Sequence, residues 1–287
     1  MAFSWSRARR QGGRFAVGLI AGLTALWAPI EPLSAITALP KWVFTYALPA
    51  AVLFYAIRRS FSRKKLKLHG LNGLRVEIVF GDLFEQRDCN LAIGADDFFY
   101  TRSGKFVTPR SMISLLHGRR YANLSEAEFD ELVHTAAHDS PAEHVEYKAA
   151  GLPAIMRSRT CRFPVGTTAV LAGNDEHHFI VALCKIALNE SPPTGRASAG
   201  DLLQALMGLW SSIRSHPKGK TIAVPLLGAG MTGTGLRATE VLRFMVSSLA
   251  CAARTAPLPD PVRIVIHPSH SDDVVLDDDV LEELLRP

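Results

Sequence analysis

Positions 227 to 235 read Leu227-Gly228-Ala229-Gly230-Met231-Thr232-Gly233-Thr234-Gly235, so four glycines fall within eight residues and two threonines stand among them. Glycine has no Cβ and accepts positive φ, which lets a backbone run close beside a bulky anion. An apolar stretch precedes the loop and a helix start follows it. Such a strand–loop–helix unit aims unpaired N–H groups and the positive helix end at whatever sits in the loop. The chemistry implied is a phosphate cradle, with the Thr232 and Thr234 hydroxyls as further donors. Arg237 follows at once and could neutralise a diphosphate or stand exposed at the helix start.

Two better-known phosphate loops fail on this chain. Residues 228–233 satisfy G-x-G-x-x-G, but that dinucleotide fingerprint needs a following strand that ends in Asp or Glu about twenty residues on. Here the next strand ends at His267-Pro268. No Gly-Lys-Ser/Thr follows, which excludes a P-loop. A ligand-free turn remains as the alternative, although four glycines would cost backbone entropy with no packing gain.

Histidines give weaker signals. His134 and His138 stand four residues apart, the spacing of a metal pair on one helix face. The zincin pattern needs Glu after the first His, and Thr135 stands there. His144 is a conceivable third ligand, but no metal is expected. His267 and His270 could line a cleft at the end of the last strand or be ordinary loop residues.

These residues need a layered scaffold to position them. Apolar strand patterns at 74–80, 89–93, 165–171, 178–187, 220–227 and 262–267 alternate with helical patterns at 125–136, 198–214, 236–253 and 277–285. Ser125 and Glu128 have capping-box spacing. The alternation predicts a mixed α/β sheet with helices on both faces and ligands at the strand ends. Residues 100–160 are poorly patterned and read as an insertion or a lid.

The 287 residues carry a net charge of +5, but the distribution matters more than the sum. Residues 1–67 hold eleven basic side chains against Glu31 alone, so the remainder is net acidic. A nucleic-acid partner is therefore not expected. The four cysteines, Cys89, Cys161, Cys184 and Cys251, form no C-x-x-C pair and read as reduced and buried. Residues 15–30 and 42–57 are apolar runs with basic outer flanks, a pattern that predicts a transmembrane helical hairpin with both ends cytoplasmic. A signal peptide, a buried core hairpin and a passive anchor are the competing readings. Gly18 and Gly22 permit close helix approach. The expected organisation is a basic cytoplasmic N-terminus at 1–14, the hairpin at 15–57, a basic linker at 58–71 and a nucleotide-binding domain at 72–287.

The string 224–233, Val-Pro-Leu-Leu-Gly-Ala-Gly-Met-Thr-Gly, resembles the second ligand loop of macro domains, α/β modules that bind ADP-ribose. Gly81-Asp82-Leu83 resembles the family's other motif, and residues 163–169 and 264–268 resemble further strand segments. The resemblance implies that Asp82, with Leu83 beside it, accepts a hydrogen bond from the adenine amino group, a task that suits an acceptor-only carboxylate. It implies that 227–235 cradle the diphosphate, and that Ile93, Gly94, Asp96, Asp97 and Phe99 hold the distal ribose. The family's hydrolytic members carry an Asn-rich loop in that last place, which this chain lacks. Asp96 and Asp97 could instead act as general base, contact a cationic group, or be solvated at the surface. The hairpin-plus-macro arrangement is similar to the membrane-bound effectors of Thoeris anti-phage defence. That likeness implies an ADP-ribose-derived signal made from NAD by a TIR-domain partner, no cofactor, a homo-oligomer, contact with membrane lipid, an inner-membrane location and disruption of the membrane. A tethered hydrolase of ADP-ribose conjugates is the alternative.

Overall fold

The structure is a computed structural model that describes residues 65–104, 107–152, 157–173, 175–190, 194–217, 219–230, 234–259, 261–270, 273–274 and 276–285. In chain order its strands are β1 (Lys65–His69), β2 (Arg75–Phe80), β3 (Cys89–Asp96), β4 (Val145–Glu146), β5 (Cys161–Arg162), β6 (Thr168–Ala172), β7 (His177–Ala187), β8 (Thr194–Arg196), β9 (Thr221–Pro225) and β10 (Val262–Ile266). The helices are α1 (Met112–Arg120), α2 (Glu126–His138), α3 (Ala199–Ser215), α4 (Ala238–Thr255) and α5 (Asp278–Leu285).

The main sheet runs β1-β2-β10-β9-β3-β7-β6, with β8 also on β7. Its five central strands, β2, β10, β9, β3 and β7, are mutually parallel, and β1, β6 and β8 are antiparallel to their neighbours. Parallel strands are covered on both faces, which explains their near-continuous apolar sequence. Side chains still alternate by layer. Val76, Ile78, Ile222, Val224, Ile264 and Ile266 share one core with α3, α4 and α5. Leu91, Ile93, Ile180, Ala223 and Val265 share the other with α1 and α2.

Local signals fix the helix starts. Ser125 caps α2 with Glu128 in a reciprocal capping box, and Ser198 caps α3 with Asp201 in the same way. Each such cap contributes about 1 kcal/mol. On α4, Val241, Leu242, Met245, Val246 and Leu249 are fully buried, each side chain worth about 1.5–3 kcal/mol. Trp210 of α3 satisfies its indole N–H on Ser248 Oγ of α4 at 2.9 Å.

Two expectations are corrected. Among the described residues no helix is long and apolar enough to cross a membrane. The longest helices, α3 and α4, bury one face on the sheet and present polar residues on the other. The transmembrane hairpin, the multi-pass inner-membrane location and the membrane-lipid partner are therefore not carried forward. The segment 15–57 itself lies outside the described residues. At the end of the stretch read as a basic linker, 58–71, residues 65–69 form β1: Leu68 is buried and Lys65 reaches Glu77 at 2.7 Å. Lysines on such an edge strand discourage pairing with other chains. The region 100–160 contains α1, α2 and the small β4–β5 ribbon.

Candidate functional site

Because the central strands are parallel, the segments leaving β2, β3, β7, β9 and β10 emerge on one edge of the sheet. Four of those segments, after β2, β3, β9 and β10, contain the residues singled out in the sequence. Ligands of open α/β sheets bind outside the carboxyl ends of the strands. Two contacts tie the segments together. Gly81 donates its N–H to Ile266 O at 3.0 Å, which joins the ends of β2 and β10. A Cβ on Gly94 would stand 3.5 Å from Leu227 Cδ2 and 3.0 Å from Leu183 Cδ2, so the end of β3 is closed against the start of the glycine loop.

The loop after β9 turns sharply at once, with Ala229 N–H donating to Leu226 O at 3.3 Å. Gly228 has φ +85°, and a Cβ there would meet Thr234 Cγ2 at 2.7 Å. Leu227 and Gly228 are buried, Ala229 is half-buried and Gly230 is exposed, with open space where a Cβ would go. Thr234 braces the other side: its hydroxyl donates to Gly228 O at 3.1 Å and accepts from Leu236 N–H at 3.3 Å. Gly235 also has positive φ, +73°. Met231, Thr232 and Gly233 lie outside the described residues. The loop leads into α4, whose N-cap, Arg237, donates its N–H to Glu240 at 2.8 Å. The Arg237 guanidinium also pairs with Glu240 and is highly exposed.

Asp82 starts the single 3₁₀ turn Leu83–Glu85, where its Oδ1 accepts Phe84 N–H at 2.9 Å. Its other oxygen stands 3.7 Å from Arg119 of α1, and the side chain is 32% exposed. Leu83 is buried beneath it. The carboxylate is therefore fixed by one bond and retains acceptor capacity at the strand-end edge.

The acidic pair after β3 is placed differently. Asp96 accepts from the N–H groups of Phe98 at 2.9 Å and Tyr100 at 3.2 Å. Burial pushes its carboxyl up to about 7 against those bonds, and the neighbouring Asp97 charge adds to the rise. Asp97 is 1% exposed and fully engaged: Arg162 Nε donates to one oxygen at 2.6 Å and Ile186 N–H to the other at 3.0 Å. Burial raises its carboxyl too, although Ile186 and Arg162 act in the opposite sense. Ile93 and Phe99 are core residues. Phe99 has φ +51° and packs edge-on to Phe163 at 5.3 Å. A non-glycine residue held there stores on the order of 1–3 kcal/mol of strain.

A cavity of about 320 Å³ opens beyond the end of β7, lined by Lys185, Ile186, Ala187, Arg196, Ser198 and Asp201. It borders the Ile186–Asp97 link. His267 is exposed and engaged locally with Ser269 at 2.8 Å. Arg119 and Arg162, which hold the two acidic stations, carried no sequence signal, because their partners are distant in the chain. Of the cysteines read as buried, Cys251 is exposed on α4.

Comparison with known proteins places this architecture. A family model described as "Thoeris protein ThsA, Macro domain" matches residues 76–267. The Thoeris protein ThsA of Bacillus amyloliquefaciens (strain Y2) is 23% identical over 202 residues, which covers 69% of this chain and 64% of that protein. The match thus spans less than two thirds of that relative's length. Among solved structures, the Oceanobacillus iheyensis macrodomain with MES bound is 14% identical at a TM-score of 0.45, covering 77% of this chain and 95% of that one. Thermosipho africanus DarTG in complex with ADP-ribose is 13% identical at a TM-score of 0.43, covering 77% of this chain and 47% of that one. Both scores are low, so the assignment rests on the family match, which spans well over half of the sequence. This chain belongs to the Thoeris ThsA macro-domain family.

Proposed function

We propose that the strand-end edge binds an ADP-ribose-derived nucleotide, and that binding favours assembly of copies of this chain in an anti-phage response. The observation that carries this reading is the placement of Asp82, held by one hydrogen bond with acceptor capacity to spare, on the same edge as the glycine loop. Asp82 and Leu83 take the adenine end. Residues 227–235, at the positive end of α4, take the diphosphate through backbone N–H groups. Gly94 and Asp96 border the distal ribose, while Ile93, Asp97 and Phe99 hold that border in place from within. The signal is made from NAD by a TIR-domain partner. A ligand shifts assembly only by its differential affinity for the two states, so the bound nucleotide must contact groups that reorganise between them.

Calorimetry with ADP-ribose on the wild-type chain and Asp82→Ala tests the binding step. Heat from the wild type with at least about tenfold weaker binding in the variant supports it. No heat at high micromolar ligand overturns it. Sedimentation with and without nucleotide tests assembly, and an unchanged mass at saturation would remove that part. Hydrolysis of an ADP-ribose conjugate is a second reading, favoured by one observation: burial places the Asp96 carboxyl at about 7, where it exchanges protons near neutral pH. Mass analysis of the ligand after incubation decides it, since an intact ligand removes the hydrolase.

A further inference from the structure

Beside the 96–99 turn, α2 and β5 bring together groups that the nucleotide site does not use. His134 and His138 stand one turn apart on α2, and Cys161 opens β5. Their ligand atoms all lie within 4.8 Å of one another. The His144 ring is 4.6 Å from that of His138. The β4–β5 ribbon sets Val145 opposite Arg162 and Glu146 opposite Cys161, and His144, just before β4, meets the Phe163 ring at 5.3 Å. His134 Nε2 is buried and makes no hydrogen bond. The face of Phe163 closes the group from one side, 5.2 Å from His138 and 5.3 Å from His144.

We propose that His134, His138 and Cys161, with His144 in the fourth position, bind one structural zinc ion. Nitrogen and thiolate donors in a closed set of four suit zinc, whereas magnesium and calcium take oxygen ligands. An i, i+4 histidine pair supplies two ligands from one helix face without moving the backbone. Edge-to-face imidazole contacts alone would account for the ring geometry, but they leave the buried His134 nitrogen unpaired beside a buried thiol. Arg159, the nearby cation, does not oppose a metal strongly because Asp130 and Glu131 both pair with it.

The consequence reaches the distal end of the nucleotide site. Zinc would fasten α2 to β5, and Arg162 of β5 and Phe163 just after it carry the link onward. Arg162 holds the Asp97 carboxylate, and Phe163 donates its N–H to Asp97 O at 2.7 Å while its ring meets Phe99. The metal is thus a brace for the 96–99 turn.

The full chain, untagged and purified without chelator, is tested by elemental analysis and by cobalt substitution. Binding of about one zinc per chain is expected. The cobalt form should show intense tetrahedral bands and a sulfur-to-cobalt charge-transfer band. Cys161→Ser should abolish the charge-transfer band, and His138→Ala should lose stoichiometric zinc. His138 and His144 are exposed, so their alanine variants are expected to fold; circular dichroism checks this, and the wild-type cobalt spectrum stands independently of any variant. Absence of retained or titratable zinc, a weak octahedral cobalt spectrum, or zinc content unchanged in both Cys161→Ser and His138→Ala would overturn the site.

Discussion

Two acidic stations stand at the carboxyl ends of parallel strands β2 and β3, which β10 and β9 separate in the sheet, and they differ in exposure and in how their oxygens are engaged. Asp82 after β2 is about one-third exposed, keeps one oxygen beyond its capping bond, and faces a loose arginine 3.7 Å away. Asp97 after β3 is wholly buried and has both oxygens committed, one to Arg162 and one to the Ile186 amide. Its neighbour Asp96 is buried as well and folds back onto the turn that it starts. A carboxylate with spare acceptor capacity can read a ligand, whereas one whose lone pairs are already used organises backbone. Under the proposed function Asp82 is thus the recognising acidic station and Asp97 the supporting one.

The sharpest test of that contrast is Asp97→Ala. It strands a half-buried arginine and a buried amide, and removing one partner of a buried pair costs up to about 3–5 kcal/mol. Urea denaturation should show that loss. A loss below about 1 kcal/mol would mean that Asp97 is not structural and would return it to the set of ligand candidates.

The next largest effect is a pH dependence at Asp96. Burial lifts its folded-state carboxyl to about 7, above the ordinary aspartate value of 3.8. Between those values the folded chain holds a proton that the unfolded chain has released, so folding stability falls as pH rises from about 4 to about 7 and levels off above. The drop is on the order of a few kcal/mol, and the raised Asp97 carboxyl acts in the same direction. Asp96→Asn keeps an acceptor for Phe98 and Tyr100 and removes the titration. Its stability curve should be flatter than that of the wild type, with the gain at about pH 8 rather than pH 5. Parallel curves would mean that the carboxyl stays ionised in the fold.

How much of this contrast was readable in the sequence depended on contact range. The central strands were legible because strands buried on both faces must be apolar throughout, as in 262–266. The starts of α2 and α3 were legible because their caps are local. The glycine loop was legible because few residues besides glycine accept φ +85° at Gly228. α1 was missed: its sequence Met112–Arg120 contains Gly118 and ends in two arginines, and it buries only Ile113 and Leu116. β1 was hidden by its lysines. The roles of Asp97 and Phe99 were illegible because their partners are supplied by distant strands, as with Arg162, 65 residues on, and Ile186, 89 residues on. A pair of acids on a sequence says nothing about which will be buried.

At the recognising station, Asp82→Ala should show the opposite signature to Asp97→Ala. A hydrogen bond to a charged acceptor is worth about 1.5–3 kcal/mol, so ADP-ribose affinity should fall roughly 10- to 100-fold. Loss of the cap to Phe84 should cost only about 1 kcal/mol of stability. Large instability with unchanged affinity would reverse the assignment of the two stations.

The smallest effect separates a steering charge from a fixed partner. Arg119 reaches Asp82 at 3.7 Å from an exposed position, and exposed ion pairs contribute about 0–1 kcal/mol. Arg119→Ala should therefore leave stability unchanged within about 0.5 kcal/mol. Its effect on binding depends on what Arg119 does. If it merely screens Asp82, removing it frees the second oxygen and ADP-ribose binds as well as before or slightly better. If it also attracts the diphosphate, affinity falls a few-fold and the fall disappears at high salt, because interactions across solvent are screened within about 10 Å at 0.1 M. Calorimetry at low and high ionic strength distinguishes the two. A loss in Arg119→Ala as large as that in Asp82→Ala, and independent of salt, would show that Asp82 reads the ligand only when Arg119 orients it, and the station would then be a pair rather than a single carboxylate.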